Sequence, residues 1–430
     1  MKTVIMAGGM GTRISSVASN IPKPMIRIGN KPILEYEINC LSRQGFTDII
    51  ITVSHLGQII MDYFGDGSAF GTNIEYYNEA TPLGNAGALF KLKDKLTNDF
   101  LLLNADTILD VDLNRFVGHH KKKGGLVTLF THPNNHPFDS GLIVADKNGA
   151  VSQWLTKEDE RSAYYQNRVN AGLHIVSPRI LDAEIKTEKI DLDRQLLKPL
   201  SGTGKMFVYD SPEYLSDMGT PERFVRGVED VLSGKINRRN LKNKQKAIFL
   251  DRDGTINADV GFLTKANQFS LIAGVSAAIK TINASDYLAI VITNQPVIAR
   301  GEVTHEELHM IHNKMETLLG QDGAYLNAIY YCPHHPDKGF PNERSEYKIK
   351  CECRKPNPGL LLQAAADFNI DLSESWMVGN SKNDINVGIA AGCKTILLGT
   401  SDYGQTAKFD SLFSFSKCII DKVGETNAGC

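Results

Sequence analysis

No run of apolar residues in this 430-residue chain is long enough to cross a bilayer. A secretory leader is missing too: the apolar stretch of MKTVIMAGGMGTR is cut off by glycines within a few residues, so the expected compartment is the cytoplasm. There is no surplus of one charge. Lys and Arg total 47 against 49 Asp and Glu, a net charge of −2, and no basic field draws the chain to nucleic acid or a membrane surface. Cysteine is sparse and odd in number, at seven, which argues against a disulfide framework in such a compartment. Cys40, Cys393, Cys418 and Cys430 are scattered, whereas Cys332, Cys351 and Cys353 gather around His334. Hydrophobic residues make up 42% and charged residues 22%, the balance of a globular protein. The length exceeds what one hydrophobic core usually supports, so two domains are expected.

Short apolar runs at 3–7, 48–54, 100–103, 126–130 and 172–176 read as strands, separated by stretches such as 33–44 with apolar residues at helical spacing. The segment 233–246, SGKINRRNLKNKQK, is polar and basic and reads as a solvated linker; no aromatic residues interleave its charges as a nucleic-acid patch would require. A second alternation follows, with strand candidates at 247–250, 288–293, 376–379 and 395–398. The expectation is an α/β protein of two domains, 1–232 and 247–430, each a mostly parallel sheet flanked by helices. The tail after Thr400 carries little pattern, and no internal repeat is visible.

Residues 7–13, AGGMGTR, follow an apolar strand. Gly8, Gly9 and Gly11 let the backbone approach a triphosphate, and Arg13 offers a planar fork for its oxygens. Further on, Pro22 and Pro24 hold Lys23 in a stiff loop. Asp106 follows the apolar run 100–103, at a strand end where open α/β sheets place ligands. Glycine-rich loop, arginine, spacer and Pro-Lys-Pro together resemble the signature of the sugar-nucleotide pyrophosphorylases, over about 230 residues. The resemblance implies a Rossmann-like nucleotidyltransferase. It places Gly84 and Asn85 of PLGNAGAL at the nucleotide, and Asn170 and Gly172 of NAG at the sugar. Lys157 of WLTKED would meet the sugar phosphate, and Asp217 of LSDMGTPERF would join Asp106 in holding Mg²⁺. Ala105 stands where the family often has glycine, and Asn85 where threonine is usual. The runs 19–46, YFGDG and PLGNAGAL are most similar to guanylyltransferases acting on heptose 1-phosphate, which makes GTP the favoured nucleoside triphosphate and a sugar phosphate its partner. The implied chemistry is direct displacement at the α-phosphorus, with Arg13 and Lys23 neutralising charge.

Residues 249–255, FLDRDGT, put Asp251 at a strand end and Asp253 two residues later, a spacing suited to a nucleophile and a proton shuttle. The segment resembles the first motif of the haloacid-dehalogenase (HAD) superfamily, implying an aspartyl-phosphate intermediate. Thr293 and Asn294 resemble the phosphate-binding motif, Lys355 of CRKPNPG the neutralising lysine, and WMVGNSKND the metal motif. There Asn380 replaces the usual aspartate, so Asp251, Asp253 and Asn380 are expected to hold Mg²⁺ with one negative charge fewer. Cys332, His334, Cys351 and Cys353 supply three thiolates and an imidazole, a set suited to closed tetrahedral Zn²⁺, with His335 as a competitor. FLDRDGTIN, TNQPVIARG, CPHHP and CECRKPNPG together are similar to the heptose-1,7-bisphosphate 7-phosphatases, and nearly as much to zinc-containing histidinol-phosphate phosphatases. Arg300 and Arg354 are candidates for a second phosphate, with surface ion pairing the alternative.

Together these resemblances imply a bifunctional enzyme of nucleotide-sugar biosynthesis: removal of the 7-phosphate, then nucleotidyl transfer to heptose 1-phosphate. Another sugar phosphate, histidinol phosphate or a binding-only regulatory protein are the alternatives, and a homo-oligomer is left open.

Overall fold

The computed structural model describes residues 1–8, 21–185 and 189–424. Two compact units emerge. One comprises Met1–Thr131, Ile143–Trp154 and Asn170–Asn240; the other comprises His132–Leu142, Leu155–Val169 and Leu241–Cys430.

The first unit is built on a nine-stranded sheet. Thr3–Met6 lies at its centre, parallel to Asp48–Val53 on one side and to Phe100–Asn104 on the other. Side chains alternate between the faces. Ile5, Ile51, Leu101 and Leu103 enter one cluster, while Val4, Ile50 and Leu102 enter another. Burial on both faces explains why these strands read as unbroken apolar runs. Chain order runs outward to Asn73–Asn78 and then returns to Phe100–Asn104 beyond the centre. The order therefore reverses between Thr3–Met6 and Phe100–Asn104, opening a crevice at their carboxyl ends.

The second unit repeats this logic with six strands, all paired in parallel. Lys246–Leu250 sits between Tyr287–Asn294 and Trp376–Gly379, and the order reverses there. Ile248, Leu250, Ala289 and Val291 face one core, and Ala247, Phe249, Leu288 and Ile290 the other. Helix His305–Gln321 begins with a reciprocal cap, in which Glu307 N–H donates to Thr304 Oγ1 at 3.1 Å and Thr304 N–H to Glu307 Oε2 at 2.7 Å. Segment Leu155–Val169 docks on this helix. Arg168 pairs with Glu316 at 3.1 Å, both side chains under a tenth exposed, and Tyr165 N–H donates to Thr317 Oγ1 at 2.9 Å.

Two expectations need correcting. The basic stretch 233–246 is not a plain solvated linker: Lys235–Arg238 is helical, and Ile236, Arg239, Asn240 and Leu241 are buried. Its few apolar residues are placed to dock, which an overall count of polar residues hides. The tail after Thr400 is structured as well, with strand Ala407–Phe409 extending the sheet and helix Leu412–Gly424 packing against helix Val275–Ala284. Among the described residues no helix is long and apolar enough to cross a membrane.

Phe415 anchors that tail, 1% exposed, with ring centroids 5.7 Å from Trp376 and 5.5 Å from Phe409. Phe415→Ala is expected to destabilise the second unit by about 3–5 kcal/mol. Denaturant unfolding followed by Trp376 fluorescence checks this; an unchanged midpoint would contradict the packing.

Candidate active sites

In the first unit, Ala7 and Gly8 leave strand Thr3–Met6 at the crevice, where Ala7 N–H donates to Thr52 O at 3.0 Å. A side chain at Gly8 would come within 2.7 Å of Glu79 Oε1, so any larger residue would have to displace that carboxylate. Gly9, Gly11 and Arg13 lie outside the described residues. Lys23 starts a 3-10 turn between Pro22 and Pro24, and its ammonium forms an ion pair with Asp106. Asp106 occupies the turn between Phe100–Asn104 and Thr107–Asp110. Strand Tyr214–Asp217 pairs antiparallel with Thr107–Asp110, setting Asp217 opposite Thr107, and Met218 N–H donates to Asp106 O at 2.9 Å. Sheet register therefore brings Asp106 and Asp217 to neighbouring positions. Asp217 is turned to Arg223, 2.9 Å from Nη1 through each oxygen.

Beneath this pair lies a residue the sequence reading missed. Glu37 is fully buried and accepts Thr107 N–H at 3.0 Å through Oε1, while Oε2 has no partner. Burial first, and Asp106 after it, push its carboxyl well above the usual range, while the Thr107 N–H and Lys23 pull it back. A glutamate on an otherwise apolar helix face was the available signal.

Gly84 adopts φ +80° and lies against the Ile190 backbone, where any side chain would clash. Asn85 accepts Leu192 N–H at 2.7 Å through Oδ1, so its oxygen braces the loop rather than facing a nucleotide. Asn170 and Gly172 lie on strand Val169–Val176, beside Asn104. Lys157 is exposed and falls in segment Leu155–Val169, which clusters with the second unit.

In the second unit, Asp251 directly follows strand Lys246–Leu250 at the point where the strand order reverses. Lys355 Nζ donates to Asp251 Oδ1 at 2.7 Å, Asp384 Oδ1 at 2.6 Å and Ile292 O at 2.9 Å. Burial opposes the lysine's charge, but the two carboxylates outweigh it and its pKa is raised. Burial, then Asp384, raise Asp251, with Lys355 pulling the other way. Asp251 Oδ2 accepts no hydrogen bond from the described residues. Asp384 is locked from both sides, its Oδ2 accepting from Ser381 N–H at 3.0 Å and Oγ at 2.6 Å.

Asp253 is held by donors alone. Arg252 Nη2 lies 2.9 Å from both oxygens, Gln295 Nε2 3.0 Å from Oδ2 and Asn257 Nδ2 3.1 Å from Oδ1. Arg252, which reads as a mere spacer between two aspartates, is 1% exposed and also reaches Gln295 Oε1 at 3.1 Å and His312 Nε2 at 3.3 Å. Gly254, at φ +75°, lies against the Asn380 side chain, which puts Asn380 beside the aspartate loop. Thr293 accepts from Gln295 Nε2 at 2.8 Å. Asn294, expected at the phosphate, instead clamps the Lys355 backbone, donating to its carbonyl at 3.1 Å and accepting its N–H at 3.0 Å.

Cys332, His334, Cys351 and Cys353 converge, with ligand atoms all within 4.8 Å of one another. Their S···S separations run from 3.2 to 3.6 Å, and His334 Nδ1 is 3.2 Å from Cys353 Sγ. Zn–S bonds of about 2.3 Å at tetrahedral angles require S···S near ~3.8 Å, so the four can hold a metal after small shifts. His334, not His335, is the imidazole in this cluster, while His335 Nδ1 accepts Asp337 N–H at 3.2 Å. Arg354 donates to His334 O at 3.1 Å, and Arg300 stacks on Phe262 at 3.8 Å and Phe340 at 4.5 Å.

Residues 2–234 match the Nucleotidyl transferase family, and residues 352–414 match the HAD-hydrolase-like family. A D-glycero-beta-D-manno-heptose-1,7-bisphosphate 7-phosphatase of Haemophilus ducreyi is 40% identical over 165 residues, 38% of this chain and 88% of that protein. One from Haemophilus influenzae is 40% identical over 178 residues, 41% of this chain and 92% of that protein. A UTP–glucose-1-phosphate uridylyltransferase of Synechocystis is 32% identical over 260 residues, 57% of this chain and 66% of that protein. With two crevices of these two kinds in one polypeptide, the chain belongs to the nucleotidyl transferase family through its N-terminal half and to the HAD-like phosphatases through its C-terminal half, and carries both enzymatic activities.

Proposed function

We propose that the C-terminal unit removes the 7-phosphate of a heptose 1,7-bisphosphate. The N-terminal unit then transfers GMP from GTP to the resulting heptose 1-phosphate, releasing pyrophosphate. One observation carries this reading: a buried ammonium, Lys355, grips Asp251 and Asp384 at a strand end of a unit that is 40% identical to a heptose bisphosphate phosphatase.

Asp251 Oδ1 is taken by Lys355, which leaves Oδ2 to attack phosphorus. The bond from phosphorus to the sugar oxygen breaks, and Asp253 gives that oxygen its proton. Asp253 then takes a proton from the water that cleaves the aspartyl-phosphate, and inorganic phosphate leaves. Thr293 and Lys355 receive the phosphoryl oxygens, and Asn294 serves by holding Lys355 in place. Asp251, the Asp253 carbonyl and Asn380 would hold Mg²⁺, which supplies positive charge against the phosphoryl group.

A second anionic group of the substrate fits the cations near His335. Burial, then Arg354, Arg300 and Lys348, hold the His335 imidazole below its usual range against the pull of Asp337. Arg300 Nε is buried without a hydrogen-bond partner among the described residues, and Lys348 Nζ lies 3.5 Å from Glu343 Oε2. The cysteine–histidine cluster would hold structural Zn²⁺, fixing the loop that leads two residues on to Lys355.

In the transferase, Asp106 and Asp217 would hold Mg²⁺, and their adjoining register positions suit a shared ion. Lys23 and Arg13 bear on the triphosphate, Gly8, Gly9 and Gly11 admit it closely, Gly84 lies at the nucleotide, and Asn170 and Gly172 serve the sugar phosphate. The product of one unit is thus the substrate of the other, in the cytoplasm.

One feature favours a second reading, binding without hydrolysis: Asn380 brings no charge to the metal position. A coupled assay separates the two. Heptose 1,7-bisphosphate with GTP should yield phosphate, pyrophosphate and GDP-heptose, and the other three nucleoside triphosphates should react at least tenfold more slowly. Asp251→Asn should cut phosphate release by at least a thousandfold yet leave transfer to supplied heptose 1-phosphate intact. Phosphate release at the wild-type rate would remove Asp251 as nucleophile. Separately, Cys351→Ser should lower bound zinc well below one equivalent by elemental analysis and lower the unfolding temperature; undiminished zinc would exclude this cluster.

A further inference from the structure

Strand Val169–Val176 carries Asn170 and His174. In a regular strand, positions four apart are separated by about 13 Å. Here the His174 imidazole meets the Asn170 amide, with Nε2 2.9 Å from Oδ1. Gly172 between them makes this contact, because its φ of +79° bends the strand, and no side chain intervenes. A side chain at Gly172 would come within 2.7 Å of Asn104 Nδ2, so the Asn104 amide lies directly against the bend.

The hydrogen bonds fix which way each polar group points. Gly172 N–H lies 3.3 Å from the same Asn170 atom, and a backbone N–H only donates. That atom is therefore the amide oxygen, and His174 must donate to it from Nε2. The other ring nitrogen, Nδ1, is buried and has no partner. Burial also pushes the imidazole down to about 3, so it stays neutral at working pH with a single tautomer. With its oxygen held twice, Asn170 turns its amide nitrogen outward. Neither Asn170 Nδ2 nor the Asn104 side chain has a hydrogen-bond partner among the described residues.

We propose that His174 is a positioning residue of the transferase: by pinning the oxygen of Asn170, it presents the Asn170 amide nitrogen, next to Asn104, as a fixed donor to a hydroxyl of the sugar phosphate. The inference rests on the reading of Asn170 as a sugar contact. A pinned amide donates to a sugar oxygen without first choosing an orientation, whereas a free one has two nearly equivalent rotamers, half of them presenting an acceptor.

Steady-state kinetics of the full-length protein with heptose 1-phosphate and GTP test it. His174→Leu should raise KM for the sugar phosphate about tenfold, the order of one hydrogen bond. KM for GTP and kcat should stay within twofold. His174→Gln, whose amide nitrogen can donate in the imidazole's place, should recover most of the sugar affinity. An unmoved sugar KM, a matching rise in both KM values, or no recovery with glutamine would overturn the proposal. Should His174→Leu not fold, Asn170→Asp keeps an oxygen facing His174 and replaces the outward nitrogen. It should raise the sugar KM alone, and an unaltered value would overturn the proposal equally. Failure of the sugar-contact reading looks different: the wild-type protein would then turn over GTP with no dependence on the sugar phosphate.

Discussion

A lysine ammonium with almost no access to water is tolerable only if anions meet it, and the phosphatase unit is organised around meeting that need for Lys355. Three acceptors from three strand ends converge on it: Asp251 after Lys246–Leu250, Ile292 O within Tyr287–Asn294, and Asp384 beyond Trp376–Gly379. The neighbouring strands must keep their register for all three to arrive together. The same cation draws the peptide around it into place, through Asn294 on its backbone and the cysteine–histidine knot just before it. The reactive carboxylate is thus oriented before substrate arrives, which lowers the cost of ordering it in the transition state.

The transferase unit solves a related problem with less burial. Lys23 is held by two prolines and leans on Asp106, while Glu37 underneath braces the turn from inside the core. Burial and the nearby Asp106 both favour protonation of that glutamate, which eases the crowding of negative charge around the turn.

Much of this was legible in the sequence, because the central strands are buried on both faces and show as uninterrupted apolar runs. Strands such as Asn73–Asn78 and Met206–Asp210 are half-covered and mix polar with apolar residues, so they escaped. Asp106 and Asp251 follow strand segments, as the apolar runs before them predicted. What escaped were side chains that act on other side chains. Arg252, Glu37 and His174 leave no local pattern, and their roles exist only once remote backbone closes around them. Asn85 and Asn294 show the converse: residues of the right chemistry in the right motif, turned toward backbone instead of ligand.

The path of the polypeptide has a practical corollary. It passes from one unit to the other after residues 131, 142, 154, 169 and 240, so no single proteolytic cut divides it into two self-sufficient enzymes. A fragment starting at Leu241 would lose the Arg168 guanidinium that lies 3.1 Å from the buried Glu316 carboxylate. Segments 132–142 and 155–169, which lie within the stretch matching the transferase family, thus belong by their packing to the phosphatase unit.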